Sequence, residues 1–142
     1  MFRKIMVPVD IADPENCGRS VDAARELAAP ARADVKLVAV LEPPTTGMAM
    51  DVGHDLFERA AEQVQAEMAK LAEKCGGDLR VETTVRQGAV YHEVLQEAED
   101  WGADIIVMGS HRPAMRTYLL GSNAARIVRH ARCSVLVLRG EE

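Results

Sequence analysis

Residue types suited to holding an anion gather in two glycine-containing stretches. Gly109-Ser110-His111-Arg112-Pro113 combines a glycine, a hydroxyl, an imidazole and a guanidinium. Leu119-Leu120-Gly121-Ser122-Asn123 follows shortly after. A glycine lets backbone approach a ligand closely. A helix opened at Ser122, with that residue as its N-cap, would offer unpaired N–H groups and the positive end of its dipole to a phosphate. Asp10 closes Val7-Pro8-Val9-Asp10 and is the first acidic candidate. It either meets a ligand or caps local backbone. His111 has no second titratable group paired with it in sequence, so it reads as a structural or phosphate contact rather than a general base. No catalytic residue is assigned.

The charge distribution bears on the same stretches. Residues 1–104 carry 11 basic and 20 acidic side chains, a net of −9. Residues 105–140 carry six arginines (112, 116, 126, 129, 132 and 139) and no acid. Two readings stay open: a local anion site, or arginines that pair with acids elsewhere in the fold. The overall charge of −5 argues against a nucleic-acid-binding protein, which is ordinarily basic over a whole face.

Several chemistries are excluded by residue type. The P-loop pattern G-x-x-x-x-G-K-[ST] and the dinucleotide fingerprint G-x-G-x-x-G after the first strand are both missing. The four lysines (4, 36, 70 and 74) lie outside the glycine stretches, so none there neutralises a transferring phosphoryl group. Gln87 and Arg139 stand where a phosphoacceptor receiver wants an aspartate and a lysine. There is no G-x-S-x-G nucleophile elbow. His54, His92 and His130 lack metal-ligand spacing, and no metal site is assigned.

The elements that must position these residues alternate between strand and helix. Phe2–Val9 reads as a strand, and Asp13-Pro14-Glu15 as a helix start with Asp13 as N-cap. Cys17, Val21, Ala24 and Ala28 then share one helix face. Val35–Leu41 is almost wholly apolar, a strand covered on both faces. Glu42–His54, with two prolines and two glycines, reads as a mobile loop or lid. Asp55–Cys75 is a helix with Phe57, Ala60, Val64, Met68, Leu71 and Cys75 inward, stopped by Gly76-Gly77. Leu79–Arg86 alternates, an edge strand with one wetter face. Ala89–Trp101 is a helix, Asp104–Met108 a buried strand, Ser122–Ala131 a helix and Cys133–Arg139 a last strand. Such alternation predicts an α/β fold with a parallel sheet, whose ligands bind beyond the carboxyl ends of strands.

The chain has 142 residues, 48% hydrophobic and 27% charged, which fits one globular domain over 1–142. No apolar run approaches the roughly 20 residues of a membrane span. Pro8 and Asp10 arrive too early for a signal-peptide core, so a cytoplasmic location is expected. Cys17, Cys75 and Cys133 lie too far apart for a zinc pattern and read as reduced, mostly buried thiols. Met48 and Met50 either touch a base or form apolar patches on the loop.

Val7-Pro8-Val9-Asp10, Ile106-Val107-Met108-Gly109-Ser110-His111, Leu119-Leu120-Gly121-Ser122 and His130-Ala131-Arg132-Cys133-Ser134-Val135-Leu136-Val137-Leu138 resemble the universal stress protein (UspA-like) family over the whole chain. The resemblance implies an open five-stranded parallel sheet of order 3-2-1-4-5 with four helices on both faces, a Rossmann-like fold of the adenine-nucleotide alpha hydrolase type. It implies a homodimer paired through Val135, Leu136, Val137 and Leu138, and binding of ATP or AMP. Carried over, Pro8, Val9 and Asp10 flank the adenosine, with Asp10 near ribose or a metal-bound phosphate. Val40 offers backbone to adenine. Met108 and Gly109 lie beneath ribose and phosphates, and Gly121, Ser122 and Asn123 hold phosphate. The family's pattern is G-x2-G-x9-G-[ST]. Here Arg112 replaces the second glycine and residues 113–120 make the interval one residue short, as in a subgroup with a Ser-His-Arg-Pro loop. Arg112 then either clamps phosphate bidentately, alongside Ser110 and His111, or fills the phosphate space.

The favoured function is a stress or regulatory protein that binds ATP (or ADP or AMP) with Mg²⁺ and changes its contacts with a partner protein. The alternatives are a slow ATPase or adenylate-transferring enzyme on the same pocket, and a dimeric interaction module whose pocket Arg112 and Pro113 have closed.

Overall fold

A computed structural model of the chain describes residues 1–10, 14–42, 53–110 and 121–139. Its strands are β1 (Lys4–Pro8), β2 (Asp34–Leu41), β3 (Val81–Gln87), β4 (Ile105–Gly109) and β5 (Ser134–Leu138). Its helices are α1 (Pro14–Ala28), α2 (Gly53–Gly76), α3 (Val90–Trp101) and α4 (Ser122–His130). The described strands form one parallel sheet in the order β3-β2-β1-β4-β5. A short 3-10 turn, Ala29–Ala31, which periodicity does not reveal, links α1 toward β2. Glu42–His54 falls largely on residues outside the described ones, as does Asp13.

Side-chain alternation along the strands builds two cores. Ile5, Val7, Val35, Leu37, Ile105 and Val107 pack against α1 and α2 through Cys17, Val21, Ala24, Ala28, Met68 and Cys75. Met6, Val38, Ile106 and Met108 pack against α3 and α4 through Val94, Ala98, Ala124 and Ile127. Two helices therefore cover each face, and the central strands are apolar in both directions, as parallel strands must be.

Two expectations need correction. Ala60 is exposed rather than inward. At 24 residues α2 is about 36 Å long, against about 26 Å for the eight residues of β2, so that strand cannot cover it along its whole length. The polar face of β3 is not simply wet. Arg86 Nε and Nη1 donate to Glu93 Oε1 (2.8 Å) and Glu97 Oε1 (3.1 Å) on α3, and Lys36 Nζ donates to Glu97 Oε2 (2.9 Å). Among the described residues no helix is long and apolar enough to cross a membrane.

Candidate functional site

The central strands leave an interrupted ladder at their carboxyl ends. β1 pairs with β2 from Lys4–Asp34 to Pro8–Val38, and β4 pairs with β5 from Ile105–Ser134 to Gly109–Leu138. β1 pairs with β4 only at Ile5–Ile105 and Met6–Ile106. This is where strand order reverses, since β1 leads outward to β2 and β4 outward to β5. Ligand crevices of open α/β sheets form at such a point.

The hydrogen-bond directions show which backbone groups face that crevice. Val9 N–H donates to Val38 O (2.8 Å), so odd-numbered residues of β1 turn their peptide groups to β2 and even-numbered ones to β4. Ser110 N–H donates to Leu138 O (2.9 Å), so even-numbered residues of β4 face β5. Val107 and Gly109 therefore face β1. On β2, Leu41 O accepts from Gly88 N–H (3.0 Å) on the β3 side. The peptide groups of Val40 consequently face the β1 side, one rung past the Val9–Val38 bond.

The side chains divide differently. Val9 is buried in the α1/α2 core and Met108 in the α3/α4 core, so neither side chain is open to a ligand. Ser110 is buried and its N–H is committed to β5. Asp10 is exposed just past β1. Its backbone is held by a residue that sequence reading did not connect to it: Asp10 N–H donates to Cys17 Sγ (3.1 Å), and the thiol donates to Asp10 O (2.8 Å). Cys17 lies on the inward face of α1, so burial of that face ties the position of Asp10 to the core. The helical spacing of Cys17 was legible; its bonds to a strand-end peptide carry no periodic signal.

Helix α4 brings the third part. Its N-cap is Gly121, not Ser122: Gly121 is extended (φ −62°, ψ 157°) and its C=O accepts from Ala125 N–H at 2.9 Å. Ser122 is the first helical residue and exposed, and Asn123 is half-buried. Gly121 itself is buried, so the helix start is seated in the fold. The first turn of α4 holds no acid. His111 and Arg112, with the interval to Leu120, lie outside the described residues.

Two of the arginines of the acid-free quarter have partners away from the crevice. Arg132 Nη1 pairs with Glu99 Oε1 at 3.1 Å, and the Arg126 guanidinium lies 4.8 Å from the Tyr91 ring centre. Arg132 thus pairs with an acid elsewhere in the fold, whereas Arg126 rests on an aromatic ring. At the far side of β2, the hydrogen bond from Arg86 to Glu93 holds the Arg86 guanidinium above its usual pKa, against the pull of burial. Glu93 also packs on Gly88, where an added Cβ would meet Glu93 Cγ at 2.9 Å and φ is +146°. This network fastens the loop end of β3 to α3. Among the described residues no cluster of His, Cys, Asp and Glu could hold a metal by itself.

Comparison with known proteins agrees with this architecture. The universal stress protein family matches residues 1–139. Universal stress protein G of Shigella flexneri is 33% identical over 144 residues, covering 98% of this chain and 100% of that one. The solved structure of hypothetical protein MJ0577 superposes with a TM-score of 0.88 at 23% identity, covering 100% of this chain and 99% of the other. A universal stress protein in complex with cAMP gives a TM-score of 0.72 at 21% identity, covering 96% of each chain. The universal stress protein from Archaeoglobus fulgidus in complex with dAMP gives 0.69 at 21% identity, covering 96% of this chain and 97% of the other. These likenesses show a Rossmann-like fold of the adenine-nucleotide alpha hydrolase type, and the chain belongs to the universal stress protein family.

Proposed function

We propose that this universal stress protein family member binds an adenine nucleotide at the carboxyl ends of β1 and β4 and uses it to change its contacts with a partner protein. One observation carries the reading. The β1–β4 ladder stops at the reversal of strand order, and the same end of the sheet receives the acid-free N-terminus of α4. Interrupted backbone pairing offers polar groups to a base and sugar, and a helix start suits phosphate. The complexes of similar structures with cAMP and dAMP support the choice of an adenine ligand.

In this reading Val40 meets adenine through its peptide groups. Pro8 and the Val9 backbone flank the adenosine, and the Asp10 carboxylate meets ribose or a metal-bound phosphate. Met108, Gly109 and Ser110 lie beneath ribose and phosphates, with Gly109 the one of the three whose peptide groups face β1. Gly121, Ser122 and Asn123 hold phosphate, with His111 and Arg112 assigned on sequence alone and Arg112 as the clamp. With Asp10 as the carboxylate assigned to it, Mg²⁺ would take phosphate and water as further ligands, which suits its chemistry. The working ligand is then ATP with Mg²⁺, with AMP or ADP as the smaller occupants. Residues 1–142 act as one cytoplasmic domain that dimerises through β5, covering an edge strand that would otherwise be open.

The test is extraction of bound nucleotide. Protein purified without added ligand is denatured, and the supernatant is resolved by anion exchange with detection at 260 nm. Adenine nucleotide in stoichiometric quantity is expected. A blank supernatant, together with no thermal shift on adding ATP, ADP or AMP, would overturn the reading.

A further inference from the structure

We propose that Pro8 is a positioning residue: it keeps the nucleotide crevice open by denying β1 and β4 their next hydrogen bond. The inference rests on the nucleotide reading above and names what holds that site in shape. The strands on either side supply the contrast. On the β2 side, pairing continues past Pro8 to the bond from Val9 N–H to Val38 O (2.8 Å). On the β5 side it continues past Gly109 to the bond from Ser110 N–H to Leu138 O (2.9 Å). Only between β1 and β4 does the register end early, at Met6–Ile106.

The stop has a specific chemical cause. Residue 8 is even-numbered, so its N–H position faces β4, and Val107 is odd-numbered, so its C=O faces β1. The next rung would run from N–H of residue 8 to O of Val107, and both further register pairs, 7 with 107 and 8 with 108, depend on it. Proline has no N–H to give. It remains acceptable on the β2 side, because there the ladder uses the N–H groups of Val7 and Val9, not of residue 8. One residue thus permits pairing on one side and forbids it on the other. Val107 C=O is left facing the crevice without the ladder donor it would otherwise have.

Pro8→Ala tests this, because it restores the N–H with little added bulk. In the intact variant, amide hydrogen exchange is followed by NMR at position 8, with Val9 as the internal reference. AMP and ATP are titrated calorimetrically into both wild type and variant. The expected result is a new amide at position 8 protected to the degree of Val9. Nucleotide affinity is expected to fall roughly tenfold, the size of effect when a ligand must break one hydrogen bond to enter. A merely structural role for proline would not create a protected amide. An amide at position 8 that exchanges freely overturns the proposal, even if affinity falls, since the loss would then reflect a missing contact with the ring. A protected amide with unchanged affinity also overturns it. A wild-type protein that binds no nucleotide defeats the nucleotide reading instead, and exchange at position 8 of the variant still decides whether proline ends the ladder.

Discussion

Asp10 and Cys17 show how a site residue can depend on one with no chemistry of its own to perform. Both peptide groups of Asp10 are bonded to the Cys17 thiol, and Cys17 is buried. Cys17→Ala removes both bonds and leaves a small void. It should cost about 1–2 kcal/mol in urea unfolding, with Cys17→Ser recovering part of the loss; a change under about 0.5 kcal/mol would show that the thiol does not hold the loop. Cys75 supplies a pH test. Burial pushes its thiol above the usual value of 9.0, Arg25 pulling it down and Asp22 up by less. A group whose folded pKa is raised contributes stability that is complete below the unfolded value and lost as pH rises through the folded one. The stability of the wild type should therefore fall relative to Cys75→Val as pH rises from about 8 to about 10, through the unfolded value; a constant difference would contradict the assignment. Val7-Pro8-Val9-Asp10 and Gly109-Ser110 could be read from sequence because they sit at strand ends. The bond between Asp10 and Cys17 could not, because it joins a turn to a helix face through tertiary placement alone.

The third strand and third helix show what patterning leaves out at the level of elements. Alternation in Leu79–Arg86 correctly marks an edge strand with a polar face. It does not reveal that Arg86, at the loop end of this face, is held by Glu93 and Glu97 of α3. Glu97 is buried, taking 2.9 and 3.1 Å bonds from Lys36 and Arg86, and Lys36 lies 5.5 Å from the Trp101 ring centre. Replacing buried ion pairs as a whole is often harmless, but removing one partner strands the other charge. Glu97→Ala should thus cost about 3 kcal/mol in denaturant unfolding, and Glu97→Gln less, since it can still accept hydrogen bonds. Equal and small losses for the two would place the stability of this interface in its apolar contacts, through Val94 and Ala98. The N-cap of α4 lies one residue earlier than expected: Gly121 has the extended capping conformation and Ser122 is the first helical residue.

At the scale of the whole molecule, the order of strands fixes both the site and the exposed edge. The order β3-β2-β1-β4-β5 places β1 beside β4 at the centre and leaves β5 outermost. Strand–helix alternation predicted a parallel sheet, whereas the order itself came from the family resemblance, because alternation is compatible with several orders. Leu138 faces β4 through the bond from Ser110, so Val137 presents its N–H to the open edge. Proline is tolerated where the N–H points outward. Under the proposed pairing through β5, the wild type should sediment as a dimer and Val137→Pro as a monomer that retains the circular dichroism of the fold; a folded variant that still sediments as a dimer would place the interface elsewhere. The central claim is the nucleotide site, and calorimetric titration of ATP, ADP and AMP, with and without Mg²⁺, into nucleotide-free wild type and Asp10→Ala reaches it most directly. Micromolar binding by the wild type, weakened in Asp10→Ala while the fold persists, is the predicted result. Absence of heat with all three nucleotides, in protein that also co-purifies with none, would contradict it and leave an interaction module with a closed crevice.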